Sequence, residues 1–216
     1  HRDLHSFPTR RSSDLGISVT AVAAHEDGKG DYSSEVAVLA AAGGDAVAVI
    51  GYLDQGGKGI IQGSIDSGAF DTFILSDGMI GQSLVDAFGK DLSKSFGSLP
   101  GSTGKGAGVF ATVAKAAGID SSGPYTGESY DAAALIVLAI QAGGSADRGS
   151  IAKNVMAVAN GPGKKIYPGQ LKKALNLLAK GKGVDYEGAT AVNFTDVGEA
   201  VGSFLEKEIK GGKFKT

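Results

Sequence analysis

Outside its first fifteen residues the chain has one histidine, His25, and it has no cysteine anywhere. Ser–His–Asp hydrolysis would have to run through that single imidazole, and no Gly-x-Ser-x-Gly elbow is present to carry a nucleophile. The missing thiols exclude cysteine nucleophiles, thiolate zinc sites and disulfide frameworks. His25-Glu26-Asp27 has no second histidine to complete a metal pair and reads as a solvated strand end. Phosphate loops fail as well. Gly104-Lys105 has Leu99 where the Walker pattern needs glycine and Gly106 where it needs Ser or Thr. Residues 51–59 lie between an apolar run and a helix-like stretch, but lack the Gly-x-Gly-x-x-Gly spacing of a dinucleotide loop. These residues point to no enzyme, no metal and no cofactor.

What remains is a set of polar groups that each follow an apolar run: His25-Glu26-Asp27, then Tyr52 with Asp54, then Ser76-Asp77. In open parallel sheets, ligands settle at the carboxyl ends of the strands. Asp77 could hold a cationic amine through a charge-assisted hydrogen bond, and Tyr52 could cover a ligand with its ring and donate from its hydroxyl. Structural roles fit the same residues. Asp77-Gly78 is an ordinary turn dipeptide whose aspartate could cap the next helix, and Tyr52 could pack on a rim.

The elements that would position these groups alternate. Buried strands are expected over 17–24, on both faces, and 45–51, with a third strand over 72–75 and a further one over 95–101. Helices are expected over 32–42 (capped by Asp31), 59–68 and 83–89. Strand–helix alternation of this kind specifies an α/β fold with a parallel sheet. From 105 onward the texture turns helical, with helices over 105–117, 127–142, 149–159 and 168–180. A β tail with two or three short strands then runs to about Phe214. The expected boundary is the loop at 118–124.

Composition agrees with this class. Glycine numbers 35 in 216 residues, about 16% against a usual 7%, while proline stays at 5 and no short repeat appears. The glycines therefore punctuate tight strand–helix turns. A net charge of −2 argues against a nucleic-acid protein, and no apolar run reaches the roughly 18–20 residues of a membrane span.

Residues 1–15 differ from the rest: they hold three of the four arginines and two of the three histidines. The stretch 5–15 back-translates into what looks like a common short-read sequencing adapter. We expect a non-native leader here, with Gly16 lying inside a longer protein; without the leader the net charge is −3.

Three ordered stretches carry a family resemblance: DGKGDYSSEVAVLAAAGGDAVAVIGYLDQGG, SGAFDTFILSDGM and SGPYTGESYDAAALIVLAIQAGGS. With the late pattern Gly188…Phe194-Thr195-Asp196-Val197-Gly198, they resemble periplasmic type I solute-binding proteins, in the branched-chain amino acid ABC transporter group. The resemblance implies a two-lobed, three-layer α/β/α fold that closes over a small solute. After the adapter-like leader at 1–15, it implies a second lobe at 16–122, helical segments returning to the first lobe at 123–188, and a β tail at 189–216. The first lobe, with its carboxylate-binding loops, and the signal peptide are expected to be missing. The family's aromatic and acidic contacts fall on Tyr52 and Asp77, flanked by Gly51, Asp54 and Gly78. The implied ligand is an amino acid, the implied partner an ABC permease, and the implied location the periplasm, with no nucleic acid and no membrane insertion. Other small solutes such as amides or urea, and the ligand-sensing core of a transcription regulator, are the alternatives. The helix carrying Tyr130 and Asp131 is read as a core helix with a polar end. Its apolar face (Leu135, Ile136, Leu138, Ala139) is expected to lack a partner, leaving the isolated fragment poorly soluble or molten.

Overall fold

A computed structural model describes residues 16–216; the adapter-like stretch 1–15 lies outside them. The described elements, in chain order, begin with α1 (Ser33–Ala42), β1 (Val47–Val49), α2 (Gly57–Asp66), β2 (Phe73–Leu75), α3 (Gln82–Phe88) and β3 (Phe96–Pro100). They continue with α4 (Lys105–Ala116), α5 (Thr126–Gly143), α6 (Arg148–Ala159), β4 (Lys164–Ile166), α7 (Leu171–Leu178) and β5 (Val184–Tyr186). The last strands are β6 (Asn193–Phe194), β7 (Ala200–Val201), β8 (Phe204–Lys210) and β9 (Lys213–Lys215). The mixed α/β class with a parallel-rich sheet stands as expected.

The chain divides into two compact units, one made of the described residues up to Leu99 with Glu206–Thr216, the other of Pro100–Leu205. The sequence placed its break at 118–124. Helix α4 goes with the second unit because Phe110 and Ala114 bury against Ala189, with Tyr130 packed alongside.

In the first unit, one sheet has the strand order β1-β2-β3-β8-β9. β1 and β2 run parallel with Val47 opposite Phe73, Ala48 opposite Ile74 and Val49 opposite Leu75, and β2 runs parallel to β3. Val47, Val49, Phe73 and Leu75 point into a core shared with Tyr32, Val36, Ile60, Ile61 and Leu84 from the helices. Helix α1 has Tyr32 at its N-cap, without a side-chain cap bond; Asp31, expected to cap it, lies one residue earlier and accepts hydrogen bonds from the Ser33 backbone N–H (3.0 Å) and hydroxyl (2.7 Å).

Two expectations are corrected here. Strand β1, like β2, buries only one face: Ala48 is exposed and Ile74 keeps 39% of its surface. The helices that share the core with Val47 and Phe73 cover one side of the pleat, and side chains alternate across it. The run 17–24 forms no strand. Ile17, Val19 and Val22 are exposed, and β1 makes its described ladder with β2 alone. A β-branched run without a hydrogen-bonding neighbour has no ladder to join.

In the second unit, α5 packs on α6 and α7 over the parallel pair β4–β5. Leu135, Leu138 and Ala139 are buried there with Val158, Ile166, Ala174, Val184 and Tyr186. Leu135, Leu138 and Ala139 of the α5 face therefore have partners, contrary to expectation, while Ile136, with Val137, is exposed. Strand β4 was not foreseen, because Lys164-Lys165-Ile166 buries just one side chain. Among the described residues no helix is long and apolar enough to cross a membrane.

Candidate functional site

Beyond the carboxyl ends of β1 and β2 the chain turns twice, and the two turns meet. The Ser76 backbone N–H donates to the Val49 carbonyl at 3.2 Å, extending the β1–β2 ladder by one step. Ser76 Oγ lies 3.4 Å from both the N and the O of Gly51, a loose tie between the turns. Gly78 presses closer. A methyl group built on it would sit 2.4 Å from the Gly51 carbonyl oxygen and 2.9 Å from Cδ1 of Tyr52. No L side chain fits there without moving backbone, so glycine at 78 sets the distance between the two strand ends.

Four of the five candidate residues gather at this seam. Tyr52 projects its ring into solvent with 63% of its surface exposed, one edge lying on Gly78. Asp77 is half-buried in a single-turn 3₁₀ helix spanning Asp77–Met79, and its Oδ1 accepts the Gly78 backbone N–H at 2.8 Å. That bond fixes the carboxylate, while Oδ2 has no hydrogen-bond partner among the described residues. Met79 beyond it is fully buried and anchors the turn. The fifth candidate, Asp54, is engaged elsewhere: it pairs with Lys58 one helical turn on at 2.7 Å, on an exposed surface. A groove of about 860 Å³ between α1 and α2 includes Leu53 and Asp54 but none of Gly51, Tyr52, Asp77 or Gly78.

His25 joins the same edge. Its Nε2 would stand 3.2 Å from a methyl group built on Gly51, and its ring meets Tyr32 edge-on at 5.9 Å between centroids. Its Nδ1 is buried without a hydrogen-bond partner among the described residues. The sequence placed His25 at a strand end; it carried no sign that the imidazole covers the Gly51 peptide.

Asp131 belongs to a separate arrangement in the second unit. Its carboxylate accepts the Tyr186 hydroxyl (2.9 Å), the backbone N–H groups of Ala189 and Thr190 (2.8 Å each) and the Thr190 hydroxyl (2.7 Å). Burial, together with the neighbouring Asp131 carboxylate, pushes the Tyr186 hydroxyl well above the ordinary tyrosine range. Tyr130 accepts the Gly169 N–H at 2.9 Å and tilts against Phe110. Both residues act as polar fasteners at the end of a core helix, as their positions suggested.

Several solved structures superpose on nearly the whole chain. The leucine-binding protein LivK from Thermotoga maritima superposes with a TM-score of 0.68 at 20% identity, over 96% of this chain and 53% of LivK. The chain has the type I periplasmic binding protein fold. A periplasmic binding protein type 1 from Bordetella pertussis matches at a TM-score of 0.66 and 20% identity, over 96% of this chain and 55% of its own length. An ABC transporter substrate-binding protein from Desulfitobacterium hafniense matches at 0.54 and 15%, over 96% and 54%. The chain thus spans about half the length of these proteins. A stretch of 94 residues is 33% identical to the chemotactic signal transduction system substrate-binding protein BasB of Halobacterium salinarum, 43% of this chain and 23% of BasB. No family model matches the sequence. These neighbours carry the names of solute- or substrate-binding proteins.

Proposed function

We propose that the chain is part of an extracytoplasmic solute-binding protein that delivers a small amino acid, of the branched-chain class, to an ABC importer. The carrying observation is the seam at Gly51–Tyr52 and Asp77–Gly78. Asp77 offers a fixed carboxylate with Oδ2 open to an α-ammonium group, and the Tyr52 ring beside it offers an apolar cover for a short side chain. Gly51 and Gly78 serve by holding those two groups together, and Asp54 flanks them. No bond is made or broken in this reading; binding alone is the function, and the permease is the partner that reads the loaded form.

Titration calorimetry of the native-length protein against leucine, isoleucine, valine and a panel of amides tests it. A branched-chain amino acid should bind, and Asp77→Asn should weaken that binding by about ten- to a hundred-fold, the worth of a hydrogen bond to a charged partner. Equal affinity in the variant would remove Asp77 as the ammonium partner, and preference for an amide would overturn the amino-acid reading. The likeness to BasB supports a second reading, in which the loaded protein reports to a signal transducer. Co-purification of the native protein with a transducer instead of a permease would favour it.

A further inference from the structure

The segment 148–184 holds eight cationic residues and not one carboxylate, so in a chain of net charge −2 all other residues together carry −10. The fold gathers four of these cations, all lysines, on one face of the second unit. Helix α7 turns Ala174 into the core with Leu171, Leu175 and Leu178 packed around it, which leaves Lys172, Lys173 and Asn176 outside. The turn after α7 adds Lys180 and Lys182, and a shallow groove of about 540 Å³ runs between these lysines, Gln170 and Asn176. All four lysines are exposed, and none has an ion-pair partner among the described residues. The next carboxylates along the chain, Asp185 and Glu187, are held by Lys165.

We propose that this face of α7 and its following turn is an electrostatic docking surface for an anionic lipid bilayer. The chemistry of the patch selects that partner. Specific protein interfaces are anchored by buried aromatic residues and arginine forks. Here every cation is a lysine, a hydrated point charge on a flexible stem suited to a diffuse field of headgroups. The nearby Tyr167 is half-buried beneath the Lys105 ammonium, 4.6 Å from its ring centroid, and offers no free anchor. With no exposed apolar side chain on the outer face of α7, the contact is adsorption at the surface without insertion. Such docking would hold a solute-binding protein close to a membrane-embedded partner.

The test is co-sedimentation of the full chain with vesicles of phosphatidylglycerol in phosphatidylcholine, against phosphatidylcholine alone. Binding to the anionic vesicles is expected, with none to the neutral ones and a steep loss as salt is raised. Each single Lys→Gln change at 172, 173, 180 or 182 should weaken binding about five-fold. The four together should abolish it, while four Lys→Gln changes at 29, 58, 90 and 94 leave it intact. Circular dichroism melts of each variant separate lost charge from lost fold, and the lipid and salt dependence of the unaltered chain stands independently of any variant. Failure of the unaltered chain to bind anionic vesicles would overturn the proposal. So would binding only to an acidic polypeptide or to DNA, or a quadruple variant that binds like the parent. Solute affinity is untouched by any of these outcomes, so the docking surface and the solute site stand or fall separately.

Discussion

At the scale of single residues, the Asp131 carboxylate is the sharpest stability test. It is 2% exposed and takes four hydrogen bonds, two of them from the backbone of the 189–190 loop. Replacing Asp131 with alanine strands those donors in a closed space and should cost about 3 kcal/mol or more in denaturant unfolding. Asp131→Asn should fall between, because its amide keeps one acceptor but turns N–H groups toward other donors. Tyr186 gives a pH signature. Its ionisation is raised in the folded chain above the ordinary value of 10.0 by burial and by Asp131. Above that value the unfolded state releases the phenolic proton and the folded state keeps it. Stability therefore holds below pH 10 and declines as pH rises beyond it. Tyrosinate absorbance for Tyr186 should appear together with unfolding, and Tyr186→Phe should remove that component.

Among elements, helix α4 carries two glycines whose surroundings give opposite expectations for one substitution. A methyl group on Gly106 would lie 2.1 Å from the Gly188 carbonyl oxygen, so Gly106→Ala must push the helix off the 188–189 loop. That should cost about 1–3 kcal/mol. Gly108, one residue pair along the same helix, faces open space, and Gly108→Ala should stabilise by about 0.5–1 kcal/mol through helix propensity. Thermal melts of the two variants measure both, and equal shifts would show that the helix does not rest on the loop. The stretch 17–24 teaches the same lesson from the other side. Its composition is that of a strand, but a strand is a property of a pair, and no described neighbour completes one.

For the whole molecule, each unit owns a core. In the second unit the buried faces of α5, α6, α7, β4 and β5 close on one another. Residues 100–205 alone should therefore unfold in one cooperative transition, seen as coincident near- and far-ultraviolet dichroism melts. A broad transition with near-ultraviolet signal already absent would mean that this core does not pack by itself.

The sequence by itself determined the alternation of elements and where most of them lie. Those features rest on periodicity, glycine and caps within ten or so residues, which act before any tertiary contact. It also marked Tyr52 and Asp77, since polar residues directly after apolar parallel strands end up at one sheet edge. Only the tertiary structure decided which apolar faces are covered, that α4 joins the second unit, and that Gly78 seats one strand end against the other. It also decided that Asp54 turns to Lys58 and that the lysines of 172–182 share one groove. Each of these depends on partners distant in the chain or on the direction a side chain takes once packed, and local pattern holds neither.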